Sequence, residues 1–365
     1  MSVDRYQPFR DIAIAQQLDA IALVPGSNFN RLYNQSFHQN ERPLLVLIPV
    51  TGQPLAVVPN LELGSFALLN FEGEVFDWMD QTGYQSAFDQ LMKAADIKSV
   101  GVEGQSMRVF VHHAMLAAQP NLIITDAEKA ISGLRLIKND AEIKALEEAV
   151  QLTELALAQT LERVSVGMSE TEVERLLVQN LFGAGAEDFS FSPIVAAADN
   201  SARPHAHARA DYQLKRGDAL LIDFGGRYHG LCADITRTVF IQTCSDEAKA
   251  VYDAVLQANE CGHRATRPGA TAHDVDDAVI SYLEATPYAD RIRTKTGHGV
   301  GRDIHEDPYI MRGNHMTLEA GMVFTIEPGL YEIDNFGVRI EDDVIVTDDG
   351  VRSITTFPKQ LTLVG

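Results

Sequence analysis

The stretch GMSETEVERLLVQNL (167–181) returns 102 residues later as GATAHDVDDAVISYL (269–283). Each copy has a glycine, then Ser169 or Thr271 in a capping position, an acid three residues on, a valine and an aliphatic helix face. Further along, LKRGDALLIDFGGRY (214–228) lies against LEAGMVFTIEPGLY (318–331) at an offset of 104, which superposes Asp223 on Glu327. Asp234 and Glu341 then take comparable places in the following strands, at an offset of 107. Two copies of one helix-and-strand pattern leave few folds open. The C-terminal part is expected to be a pseudo-duplicated α+β unit, each half delivering one pair of carboxylates.

Those carboxylates need a reason to be where they are. Asp223 ends the aliphatic strand ALLID, where an ionised carboxylate costs several kcal/mol unless it is paired or bound to a cation. If Tyr228 and His229 form a two-residue hairpin turn, the antiparallel pairs sum to 457 and 223 stands opposite 234. Two carboxylates so close repel or share a proton unless a divalent ion lies between them. In GMVFTIEPG, Thr325 and Glu327 share one face while Met322, Phe324 and Ile326 take the other; in FGVRIEDDVIV, Arg339 and Glu341 share a face.

The stretch TGHGVGRDIHEDP (296–308) sets His298 and His305 between glycines. No lysine follows Gly301 as a phosphate loop requires, the glycine spacing misses the dinucleotide fingerprint by one residue, and Tyr309 stands where a zincin has its second histidine. A neutral His298 instead completes a set with Asp223, Asp234, Glu327 and Glu341. These five oxygen and nitrogen ligands carry a formal charge of −4, which matches two divalent cations. The carboxylate-dominated set suits Mn, Co or Fe, and Zn also fits.

With 365 residues and 45% hydrophobic content the chain can bury large cores, and its length suggests two domains, perhaps three. A formal charge of −21 argues against nucleic-acid or anionic-membrane partners. No stretch reaches the ~18 apolar residues of a membrane span, so a cytoplasmic protein is expected. Cys232, Cys244 and Cys261 form no C-x-x-C pair and are expected to be buried, inert thiols.

The first 125 or so residues alternate. DAIALV, PLLVLIPV, PLAVVPN and SVGVEG read as strands, LGSFALLNF and RVFVHHAMLAA as helices, with His112 and His113 as ordinary helix residues. From LRLIKNDAEIKALEEAV onward the texture becomes a long charged amphipathic helix, with Asn139 and Glu142 spaced as a capping box. The reading is therefore a smaller α/β domain over 1–130 and a catalytic domain over 131–365.

The set PH (204–205), DFGGRYHGLCADITRT (223–238), GHGVGRDIHEDP (297–308), TIEPGLY (325–331) and GVRIEDDV (337–344) resembles the proline-directed branch of the methionine-aminopeptidase-type metallopeptidases. These are the prolidases (Xaa-Pro dipeptidases) and Xaa-Pro aminopeptidases, with a pita-bread catalytic domain behind a creatinase-like N-terminal domain. The resemblance implies that Asp223 and Asp234 hold one metal, with Asp234 bridging, and that His298, Glu327 and Glu341 complete the pair. It makes His205 and His305 catalytic histidines and Glu327 the proton carrier, with Arg339 orienting Glu341. It implies substrates that are Xaa-Pro dipeptides or short proline-containing peptides, and a homodimer in which the N-terminal domain borders a neighbour's site. A creatinase-like or other non-peptide C–N hydrolase or lyase on the same fold is the alternative. His207 rivals His205 for its role. Ala198 stands where relatives carry glycine, and Leu231 and Ala233 where they often carry Tyr and Ser.

Overall fold

The computed structural model describes residues 4–365, which separate into two compact units, Met1–Arg135 and Leu136–Gly365. In the first, strands β1 (Ala20–Leu23), β2 (Leu45–Pro49), β3 (Leu55–Pro59), β4 (Glu74–Trp78), β5 (Ser99–Val102) and β6 (Ile123–Asp126) form one sheet in the order β4-β3-β2-β1-β5-β6. The three central strands are apolar on both faces because both faces are covered. Ala20, Ala22, Leu45, Leu47 and Val57 pack with Phe88, Leu91 and Met115 of the helices Gln85–Ala95 and Val109–Ala118. Ile21, Leu23, Val46, Ile48 and Val58 pack with Phe9 and Phe29 on the opposite side. Edge strands β4 and β6 were not legible in the sequence: their burial is partial, so no apolar run marks them.

The second unit is built twice. The helix Glu170–Ala184 is capped by Ser169 with Glu172, and Ala272–Glu284 by Thr271 with Asp274, both as full capping boxes. Isolated bridges Ser169↔Gln213 and Thr271↔Thr317 follow at matching places. Gly167 and Gly269 donate to Leu214 O and Leu318 O, each at 2.9 Å, and Leu214 and Leu318 return bonds to Met168 O and Ala270 O, each at 2.8 Å. The repeat is thus structural as well as textual. The first half contributes a sheet ordered Leu363–Val364, Ile235–Ile241, Ala219–Phe224, Ile194–Ala197. The second contributes Glu306–Ile310, Gly297–Gly299, Val323–Ile326, Asp342–Val346, Val351–Ser353. The expected long helix is Asp140–Leu161, and Asn139 with Glu142 closes its N-terminus as a capping box.

Two expectations are corrected. The hairpin turn is His229–Gly230, both at positive φ (48° and 74°), not Tyr228–His229. The pairs therefore sum to 459, so that Asp223 faces Thr236 rather than Asp234. A slip of two residues keeps every side chain on its face, which is why Asp223 and Asp234 still point the same way; a slip of one would have parted them. The thiols also differ from expectation: only Cys232 is buried, where desolvation pushes it up to about 11, while Cys244 and Cys261 are half-buried.

Gly225 sits where that hairpin closes, and a Cβ there would overlap the backbone carbonyl of Ala233. Ala198 has φ 49°, the left-handed region that favours glycine and costs an L-residue roughly 1–2 kcal/mol. Opposite outcomes are expected. Gly225→Ala lowers unfolding stability by at least about 2 kcal/mol, because the obstacle is backbone and cannot rotate away. Ala198→Gly holds or raises stability by up to about 1 kcal/mol. Urea unfolding of both variants beside the unmodified chain checks the two signs.

Candidate metal centre and active site

The pseudo-duplicated strands bring the five expected ligands together. Asp223 closes the strand Ala219–Phe224 and Glu327 follows directly after Val323–Ile326. Asp234 and Glu341 immediately precede Ile235–Ile241 and Asp342–Val346, the same place in each half. His298 lies mid-strand in Gly297–Gly299. Candidate ligand atoms of Asp234, His298 and Glu341 lie within 4.8 Å of one another. His298 Nε2 stands 3.1 Å from Glu327 Oε1 and 3.6 Å from Asp234 Oδ2.

The glycines around His298 are there for space. A Cβ on Gly297 would overlap the Thr325 carbonyl, and one on Gly299 the Asp307 carbonyl, so larger residues would force the strands apart. His298 Nδ1 lies 3.1 Å from Gly299 O. With the proton on Nδ1 donated to that carbonyl, Nε2 presents its lone pair to the acids, an arrangement that only a cation between them makes favourable.

Other features agree. Asp223 Oδ1 and Asp234 Oδ1 are buried without a hydrogen-bond partner, an expensive state for a carboxylate oxygen that a metal ion relieves. Burial, and then the neighbouring acids, push Asp234 and Glu341 well above the ordinary carboxylate range. Burial also raises Asp223, against the pull of Arg339. Burial acts upward on Glu327 as well, but in the metal-free chain a protonated His298 that bonds it brings it below its usual value. The residues present therefore fit divalent metal binding. Among the described residues, no comparable cluster occurs in the first unit.

Arg339 is corrected in one respect. Its Nη2 bonds Asp223 Oδ2, its Nη1 the Tyr331 hydroxyl at 2.8 Å and its Nε the Thr236 hydroxyl at 3.0 Å. It reaches Glu341 only through Thr236, whose hydroxyl bonds Glu341 Oε2. The reason is the register: with Thr236 opposite Asp223, the threonine occupies the space between the guanidinium and the glutamate. Sequence reading missed Thr236, although its position two residues after Asp234 places it on the same strand face. It also missed Asp343, whose Oδ2 accepts the Asp234 backbone N–H at 3.0 Å.

His305 stacks edge-on against His298, ring centroids 4.2 Å apart. Burial, His298 and Lys295 hold it down to about 4, with a smaller contribution from His205, so it is a neutral imidazole at physiological pH. The charge of His205 acts weakly on His305, and that of His207 acts on Glu174. Behind His305, Glu306 forms a buried ion pair with Lys138 at 2.6 Å.

This arrangement has known counterparts. The profile of metallopeptidase family M24 matches residues 144–348, and that of the creatinase/prolidase N-terminal domain matches 5–137. The chain belongs to metallopeptidase family M24. Among its relatives, the peptidase YqhT of Bacillus subtilis is 37% identical over 95% of this chain and 97% of its own. A prolidase from Thermococcus sibiricus superposes with a TM-score of 0.93 at 31% identity, covering 100% of both chains. An Xaa-Pro dipeptidase from Bacillus anthracis superposes at 0.90 with 30% identity over 99% of both. Members of this family use divalent metal ions, and this M24 chain has the pita-bread architecture that the resemblance implied. None of its helices is long and apolar enough to cross a membrane among the described residues.

The crowded acids generate a test. Asp234→Asn removes one of the buried negative charges, so in metal-free protein at pH 8 it is expected to raise the unfolding temperature. In saturating Mn²⁺ the order reverses. The unmodified chain gains RT ln(1 + [L]/Kd), about 2.7 kcal/mol at a hundredfold excess over Kd, and the variant gains much less. Thermal unfolding with EDTA and with MnCl₂ reads both signs.

Proposed function

We propose that this M24 enzyme hydrolyses the Xaa-Pro bond of dipeptides, using two divalent cations, with Mn, Co or Fe the best match to its ligands. The observation that carries this is the buried set of four carboxylates and His298, with Asp223 and Asp234 each keeping an unpartnered oxygen. The printed identities of the Thermococcus and Bacillus anthracis structures support the substrate class. Asp223, Asp234, His298, Glu327 and Glu341 would hold the two cations, which when bound would supply Lewis acidity to the scissile carbonyl and acidify the attacking water.

The chain's own groups do the rest. Glu327, oriented by the Thr325 hydroxyl at 3.1 Å, takes a proton from the attacking water and returns it to the proline nitrogen as the C–N bond breaks. A free amino acid and proline result, with no net proton consumed by the protein. Neutral His305 donates a hydrogen bond to the oxygen on which negative charge develops. His205, an exposed side chain, bonds the substrate backbone or leaving group. Arg339 bonds Asp223 and pulls it toward its ionised form against burial. We further propose a cytoplasmic homodimer, in keeping with the family resemblance; sedimentation at micromolar concentration tests the dimer.

Ala-Pro is expected to be cleaved well and Ala-Ala poorly; equal turnover would remove the proline reading. Substantial cleavage of Ala-Pro-Ala would move the assignment to Xaa-Pro aminopeptidase. Glu327→Gln should lose ~10²–10⁴-fold in kcat together with metal affinity. His305→Ala should lose kcat while elemental analysis finds the metal content unchanged, and His207→Ala should change neither.

A further inference from the structure

Each loop that carries a site histidine is closed at its stem by one buried helix carboxylate. In the first half this is Glu170, the first residue of the helix Glu170–Ala184 and fully buried. Its Oε1 accepts the Ala197 backbone N–H and its Oε2 the Arg209 backbone N–H, both at 2.7 Å. The segment between those two amides carries His205. In the second half it is Asp276, 4% exposed, on the helix Ala272–Glu284. Its Oδ1 accepts the Thr296 backbone N–H and its Oδ2 the Arg312 backbone N–H, both at 2.8 Å. The segment between those amides carries His298 and His305.

Neither carboxylate belongs to the ligand set, and a buried acid is costly to keep. Glu170 is also paired with the Arg209 guanidinium. What each adds is geometric: two oxygens on one rigid carboxylate fix the separation of two backbone amides, across the His205 loop in the first half and just beyond the ladder of Gly297–Gly299 with Glu306–Ile310 in the second. The aspartate sits one helical turn further along than the glutamate. A shorter side chain at a later position thus does the same work, and the repeat alignment does not superpose the two residues.

We infer that Glu170 and Asp276 are positioning residues, a pair of stem clamps holding the His205 loop and the His298–His305 loop against the site carboxylates. The inference rests on the catalytic reading of those histidines. It predicts separable losses, because each clamp serves its own loop.

The test uses Glu170→Gln and Asp276→Asn, which keep size but offer an NH₂ group to one of the two N–H donors. Asp277→Asn is the control, since Asp277 lies next along the same helix, half-exposed, and bonds only the Arg312 and Ser281 side chains. Hydrogen–deuterium exchange of the metal-free full chain should show faster uptake in 198–208 for Glu170→Gln and in 297–311 for Asp276→Asn, each confined to its loop. Asp276→Asn should also weaken Mn²⁺ retention after gel filtration, because His298 is in its loop; Glu170→Gln should retain Mn²⁺ as the unmodified chain does. Both should lower kcat on Ala-Pro by about 10²-fold, the scale of an ångström's misplacement. The control should move none of these.

Should Asp276→Asn fail to fold, Asp276→Glu keeps both acceptors but displaces them by a methylene and is read the same way. Unchanged exchange in both loops, or uptake rising throughout the unit with Mn²⁺ retention alike in both variants, would overturn the clamps. The exchange and retention arms need no substrate, so an unmodified chain inactive on Ala-Pro would sink the peptidase reading and leave the clamps to be judged separately.

Discussion

Four carboxylates drawn below the surface around one imidazole repel one another, and the architecture of the second unit is arranged to hold them there. Without cations, burial and mutual repulsion displace Asp223, Asp234 and Glu341 upward from the ordinary carboxylate range. With cations the same crowding becomes affinity. Stability is given up locally for a site that binds metal tightly, and it is recovered in the surrounding strands and capped helices.

The two halves are tied where the acids meet. Arg237, 2% exposed, uses its whole guanidinium: it donates to the carbonyls of Thr236, Glu341, Phe357 and Pro358 and to Asp342 Oδ1. Asp342 also bonds His263 at 3.0 Å and Lys359 at 3.1 Å, and the charge of Arg237 first, with these partners, holds its carboxyl below the usual range despite burial. One buried cation therefore fixes the backbone on both sides of the seam, next to Thr236 and Glu341. An arginine suits this task because five donors leave in one plane with fixed angles. A second contact at the seam joins the Glu341 backbone N–H to Thr236 O at 3.1 Å.

Much of this was legible in the chain because local rules wrote it. Capping boxes at Asn139, Ser169 and Thr271 depend on residues three apart, and all three formed. The alternation that put Thr325 and Glu327 on one face and Phe324 and Ile326 on the other is a property of any strand. The register at the hairpin was read two residues out because positive φ falls to His229 and Gly230, and an Asx- or Gly-type first position was not there to mark it. The direct bond of Arg339 to Asp223 was not legible either. Its partner depends on which residue stands across the ladder, and that depends on the turn.

The sequence by itself determined which residues could be ligands, that they came in two pairs, and that the halves carrying them were copies. These follow from chemistry and periodicity that each segment holds alone. Tertiary structure alone decided which amides Glu170 and Asp276 would join and that Arg237 would serve five acceptors. Each of those contacts links elements far apart in the chain. Their geometry is fixed only when the two halves pack and the remaining acceptors are counted.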